Sequence, residues 1–128
     1  MFAAIAIALG ASIGALARWR LGLWLNTEGA VLPWGTLAAN LIGGYLVGIC
    51  VAIFQALPEL DPAWRLALVT GFLGGLTTFS SFSAEVVGML LQQRYLLALG
   101  TTGMHLAGSL ALTVLGIHSA TFLLAGRA

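Results

Sequence analysis

The amino-acid sequence predicts an all-α integral membrane protein with four transmembrane helices, a break in the third, and assembly as an antiparallel dual-topology homodimer. Three observations predict this. The 128 residues are 60% hydrophobic and 7% charged, whereas soluble domains are about 45–50% apolar and about 25% charged. Residues 70–85, TGFLGGLTTFSSFSAE, continue an apolar run yet gather three glycines and six hydroxyl side chains. Lipid does not satisfy a freed backbone N–H or C=O, so such a segment belongs inside protein or beside a watery path. Finally, the few arginines are distributed evenly between the two ends of the helices.

A span needs roughly 20 apolar residues, and charged or Pro-containing breaks delimit four, at residues 2–25, 33–57, 63–91 and 95–124. The connections, 26–32, 58–62 and 92–94, are short, so sequential helices run up and down as one domain over 1–128. Arg20 and Arg94 then flank one membrane face and Arg65 and Arg127 the other. Loop Lys and Arg set orientation, and with no lysine present the balance predicts insertion both ways. Four short helices also enclose little lumen, which favours a pathway shared between copies. The same scarcity of cations leaves no basic patch for nucleic acid.

The first span opens with MFAAIAIALGASIGALA, which lacks a basic n-region and exceeds a typical signal h-region, so it is expected to be retained. Gly10, Gly14 and Arg18 recur every fourth residue, a small-residue row that ends in a guanidinium near the membrane edge. Arg18 either draws anions toward an opening or snorkels to the interface. GASIG at 10–14 matches G-x-S-x-G by letters only. That motif needs a strand-to-helix elbow with Asp and His partners, so no enzyme is expected.

On the second span Thr36, Asn40, Gly44 and Gly48 share one face by their spacing of four. An Asn at membrane depth needs partners, so its amide either joins helices or faces a polar solute. Cys50, the sole cysteine, reads as a small buried hydrophobe.

The third span carries Gly71, Gly74 and Gly75, each costing about 1 kcal/mol against Ala in a helix, followed at once by Thr77 and Thr78. Unwinding is expected here. Unwound carbonyls coordinate alkali cations in membrane proteins, and two antiparallel copies meeting at this point would share a small cation site. The alternative is that the glycines serve close helix packing. Phe79 and Phe82 follow on one face, with serines interleaved and Glu85 a turn further on. A phenyl ring has a positive edge, so rings presented edge-on stabilise an anion weakly, which suits conduction.

The fourth span bears His105, Ser109 and Thr113 at spacings of four, either a path or a hydrogen-bonding stripe. His118 is expected near the interface. The two histidines are 13 residues apart, without Cys or carboxylate partners at ligand spacing, so they predict no metal site.

GALARW at 14–19, GTLAANLIGGYLVG at 35–48 and GFLGGLTTFSSFSAE at 71–85 together resemble the CrcB/Fluc fluoride channels over nearly the whole chain. Trp19 and His105 stand where that family commonly has Tyr. The resemblance implies a dual-topology homodimer in the cell inner membrane with two fluoride pathways, a central structural sodium ion and passive fluoride export. It implies that Asn40 is a pore-facing amide, that Phe79 and Phe82 are paired rings, and that Gly74 and Thr77 bind sodium through backbone carbonyls. Ser109 and Thr113 correspond to the fourth-helix polar track, Thr36 to a threonine facing it, and Glu85 to the acid after the second ring. Arg18 and His105 fall at vestibule or supporting positions.

Two other classes share some of these features. Small dual-topology proton-coupled drug exporters also have four short helices, but they rely on a Glu in the first helix, and no acid precedes Glu28 here. A non-transporting membrane assembly protein would use every polar row to join helices.

Overall fold

The computed structural model describes residues 1–127; Ala128, the last residue of the predicted domain, lies outside the described residues. Four helices are long and apolar enough to cross a membrane: α1 Phe2–Leu25, α2 Trp34–Ala56, α3 Pro62–Leu91 and α4 Tyr95–Ala125. Their ends fall within a residue of the sequence expectation, and local chemistry sets them. Asn26 Oδ1 accepts from Gly35 N–H at 2.7 Å, holding the start of α2 beside the end of α1. Asp61 Oδ1 accepts from Ala63 N–H at 2.8 Å with Pro62 just inside the helix, so α3 starts one residue earlier than expected. This combination satisfies an orphan donor and uses a residue that has none to lose.

α1 and α3 run parallel, as do α2 and α4, and glycines set both contacts. A Cβ added at Gly10 would meet the backbone of Ala67 and Phe72, and one added at Gly14 would meet Phe72 and Leu76. In the second pair, Gly44 and Gly48 lie against the backbone of Ser109 and Thr113, and Gly116 lies against that of Tyr45. Side chains there would hold the helices apart. The core between the pairs is small, with Ala39, Leu73 and Leu76 buried and Leu46, Val47, Cys50 and Phe72 packed around them. Most other large apolar side chains face outward, among them Ile13, Leu16, Leu110 and Phe122, as a lipid-facing surface allows. Close packing and interhelical hydrogen bonds therefore carry association.

The break in α3 falls at Thr77–Thr78, just beyond the glycines rather than on them. Residues 66–73 form a π-helix, 74–76 a last α-turn, and Thr77 and Thr78 are extended before Phe79–Leu91 resumes as α-helix. The wide winding keeps Ala67, Gly71 and Gly75, spaced by four, in contact with α1. Packing against α1 thus holds Gly71 and Gly75 helical despite their propensity, and the chain parts at the extended, β-branched pair that follows.

Candidate functional site

A groove of about 450 Å³ opens beside the break, lined by Asn40 from α2, Gly74, Thr77, Phe79 and Phe82 from α3, and His105 and Ser109 from α4. Seven of the eleven predicted site residues are therefore gathered in one place. The other four, Arg18, Thr36, Glu85 and Thr113, lie around it.

Asn40 holds the break together. Its Oδ1 accepts from Thr78 N–H at 2.8 Å, and its Nδ2 donates to Thr78 C=O at 3.0 Å. The backbone donor fixes which side of the amide carries oxygen, so Nδ2 is also the atom 3.0 Å from His105 Nδ1. A primary amide has two N–H groups, and both are committed. In an unbroken helix Thr78 N–H would bond Gly74 C=O; here the Asn40 side chain takes that donor. Thr78 also caps the second half of α3, its Oγ1 accepting from Ser81 N–H at 3.1 Å. Its role was not assigned from sequence, although Thr one residue before a helix is a preferred N-cap.

The freed carbonyls have different partners. Arg18 Nε donates to Gly75 C=O at 3.1 Å, so this arginine is tied to the break instead of extending to the membrane edge as its place in the first span suggested. Gly74 C=O accepts no backbone or side-chain bond across the break among the described residues, and the same holds for Thr77 C=O. Gly74 also differs from Gly71 and Gly75 in its surroundings: a Cβ there would meet nothing closer than Val69 O at 3.7 Å. It is exposed to the groove, and close packing within the chain does not account for it. Unpaired carbonyl oxygens are hard donors that fit an alkali cation. No cluster of three His, Cys, Asp or Glu side chains able to hold a metal occurs among the described residues.

The aromatic residues stand in sequence along the groove. Phe79 is 73% exposed and meets Phe82 edge-on, with centroids 5.6 Å apart and planes at 65°. Phe82 is buried and tilts over the His105 ring, at 4.5 Å and 35°. Ser109 follows His105 by one helical turn, and its hydroxyl has no hydrogen bond among the described residues. Thr113 is placed differently. Its Oγ1 lies 2.9 Å from Gly44 C=O and 2.8 Å from Ser109 C=O, where it joins α4 to α2.

At the opposite end Thr36 Oγ1 donates to Glu85 Oε1 at 2.5 Å. Glu85 Oε2 is sealed from solvent with no hydrogen-bond partner among the described residues. Thr36 and Arg18 border a second, more polar groove with Asn26 and Trp19. One helical turn separates the Thr36–Glu85 pair from the Asn40, Phe82 and His105 layer. Polar groups thus recur turn by turn from this recess to Ser109. His118 is exposed and belongs to neither groove.

The profile of the family described as "CrcB-like protein, Camphor Resistance (CrcB)" matches residues 5–117. Among curated relatives, "Fluoride-specific ion channel FluC" of Albidiferax ferrireducens is 78% identical over 98% of this chain and 95% of its own length. The protein of the same name from Variovorax paradoxus is 70% identical over 90% of this chain and 91% of its own, and that from Paracidovorax citrulli 62% over 93% and 94%. By the profile match and by these near full-length relatives, the chain belongs to the CrcB family.

Proposed function

We infer that this chain is a fluoride-selective ion channel, a multi-pass protein of the cell inner membrane that lets fluoride leave passively and so reduces its toxicity. The carrying observation is near full-length identity of up to 78% to proteins named fluoride-specific ion channels, in a chain whose groove carries polar groups at successive helical turns. Fluoride holds its water tightly, and a pore must replace that hydration with hydrogen-bond donors. Hydroxyl, imidazole and aromatic edges along the groove do so weakly enough for the ion to leave. The chain has no lysine, and Arg18 lines the second groove and not this one, so no lysine or arginine side chain stands in this groove to trap the anion.

The working unit is an antiparallel dual-topology homodimer. Supporting this are the balanced arginines, the openness of the groove on one side of a single chain, and the exposure of Phe79 and Gly74 within it. A second copy would complete the walls and give two fluoride pathways. In each, Phe79 and Phe82 offer ring edges, Asn40 holds the pathway's backbone in shape, and Ser109 supplies a hydroxyl. Thr113 supports that track through its bond to α2, and Arg18, Thr36 and Glu85 shape the entrance. A structural sodium ion at the dimer centre would be held by the backbone carbonyls of Gly74 and Thr77 from both copies. The fit rests on the chemistry of those oxygens, and two from one protomer are too few for an alkali ion alone. Bound there, the ion would offset the carbonyl dipoles that the break leaves without partners.

Efflux from liposomes loaded in parallel with fluoride or chloride, read with ion-selective electrodes and a potassium ionophore, tests the activity. Fluoride loss without chloride loss is expected. Retention of both anions by membranes with verified dimers would refute it. A terminal tag reachable from both sides of the membrane is expected; access from one side only would exclude dual topology.

A further inference from the structure

We propose that Asn40 acts as a positioning residue for His105, fixing the imidazole as the Nε2–H tautomer so that an uncharged N–H donor faces the passing anion. This rests on the channel reading above and identifies a specificity-determining pair within it.

The proposal follows from hydrogen-bond arithmetic. Thr78 N–H lies 2.8 Å from Asn40 Oδ1 and Thr78 C=O lies 3.0 Å from Nδ2, so the amide cannot be turned over without opposing two donors and two acceptors. Its second Nδ2 hydrogen then points at His105 Nδ1, 3.0 Å away. An imidazole nitrogen that receives a donor carries no proton, and in the neutral ring the proton is on the other nitrogen. Nε2–H has no partner among the described residues and is not sealed away, since Glu85 Oε2 is the one buried side-chain polar atom there without a bond. His105 itself lines the groove. Phe82, tilted over the imidazole at 4.5 Å, packs on the ring face, and Ser109 stands one turn further along the same helix face, about 6 Å away.

The consequence is chemical. An imidazolium would place Nδ1–H against the committed Asn40 N–H, and it would present a full charge that holds a small anion deeply. The neutral Nε2–H tautomer presents a dipole instead, which binds and releases. The backbone of the α3 break thus selects, through Asn40, which histidine nitrogen meets the ion.

The test uses the full-length protein in bilayers, ¹⁵N-labelled at histidine, with His118→Gln leaving one histidine signal. The expected spectrum shows an unprotonated Nδ1 and a protonated Nε2, with the Nε2 resonance moving on addition of fluoride but not chloride. A protonated Nδ1, or an Nε2 resonance indifferent to fluoride, would overturn the proposal. In flux assays His105→Phe keeps a ring against Phe82 but loses the donor, and fluoride efflux is expected to fall about tenfold to a hundredfold, as for a lost hydrogen bond to a charged partner. His105→Tyr restores an edge donor and is expected to recover most of that loss. Wild-type efflux from His105→Phe would also overturn the proposal, and if that variant does not assemble, the spectrum decides. Wild-type protein that conducts while its Nδ1 is protonated or its Nε2 ignores fluoride defeats the proposed Nε2–H contact alone; wild-type protein that does not conduct defeats the channel reading beneath it.

Discussion

Gly71 and Gly74 are three residues apart in one motif, yet the structure predicts opposite outcomes for the same substitution. A Cβ at Gly71 would sit 2.7 Å from Ile7 O and 3.2 Å from Ala11 N and Gly10 Cα. These are backbone atoms of a helix and cannot rotate away. Restoring a contact of about 3.5 Å moves α1 outward by roughly 0.8 Å, and a gap of about 0.5–1 Å forfeits a quarter to a half of each dispersion contact. Overpacking of this kind costs about 1–3 kcal/mol, while the helix-propensity gain of Gly→Ala returns about 1 kcal/mol. Gly71→Ala is therefore expected to lose up to about 2 kcal/mol of stability. Gly74→Ala meets nothing nearer than 3.7 Å and is expected to keep or gain up to about 1 kcal/mol, while fluoride efflux falls because the new methyl enters the groove beside the freed carbonyl. Gly100→Ala, with nothing within 4 Å, serves as the control. Denaturant unfolding followed by tryptophan fluorescence, with liposome efflux on the same preparations, separates the two effects. Equal stability of Gly71→Ala and Gly74→Ala would refute the packing argument, and wild-type efflux from Gly74→Ala would remove that position from the pathway.

Asn40→Ala strips the partner from Thr78 N–H and His105 Nδ1, and with about 1–3 kcal/mol for each unsatisfied buried group the loss should reach about 2–6 kcal/mol; unfolding midpoints near wild type would mean water replaces the amide freely. Phe82→Ile should slow fluoride efflux severely while crosslinking still captures dimers, because the ring edge toward the groove and the face against His105 are both lost; unchanged flux would remove the ring from the mechanism. Glu85→Gln keeps an oxygen acceptor for Thr36 and should retain fluoride efflux that needs no proton gradient. Efflux abolished together with any proton dependence would instead favour a proton-coupled exporter.

The fold was legible in the sequence because a membrane span is a coarse signal: long apolar runs, short polar connections and Pro62 after Asp61 place helix ends within a residue. The break was legible in kind and lies within the expected stretch, at its Thr77–Thr78 end. Propensity alone puts it on Gly71, Gly74 and Gly75, but Gly71 and Gly75 are held helical by backbone contact with α1, an effect between segments that no local window contains. Arg18 shows the same limit. Its sequence position suggested the membrane edge, yet its bond runs to Gly75, 57 residues on. Asn40 left two readings open, joining helices or facing a solute. The structure shows the amide in the wall of the groove with both N–H groups committed to Thr78 and His105, so its joining role is the one realised within the chain. A spacing of four residues reveals which side chains share a face, but not which atom of an amide points where.

The break also explains why a polar groove survives in so apolar a chain. Opening a helix at membrane depth exposes donors and acceptors that lipid leaves unsatisfied, each at a cost of several kcal/mol. Here they are distributed unequally. The Asn40 amide spans the Thr78 donor and acceptor and Arg18 covers Gly75 C=O, whereas Gly74 C=O and Thr77 C=O are bridged by neither. These last two oxygens accept no bond across the break among the described residues, so each of them needs a partner. Either a cation shared with a second copy or water must supply it. Water alone would add no tie between copies and would leave Asn40 and Arg18 to hold each break. A shared cation would hold both copies' breaks fixed at once, and the geometry of each fluoride path would then depend on assembly of the pair.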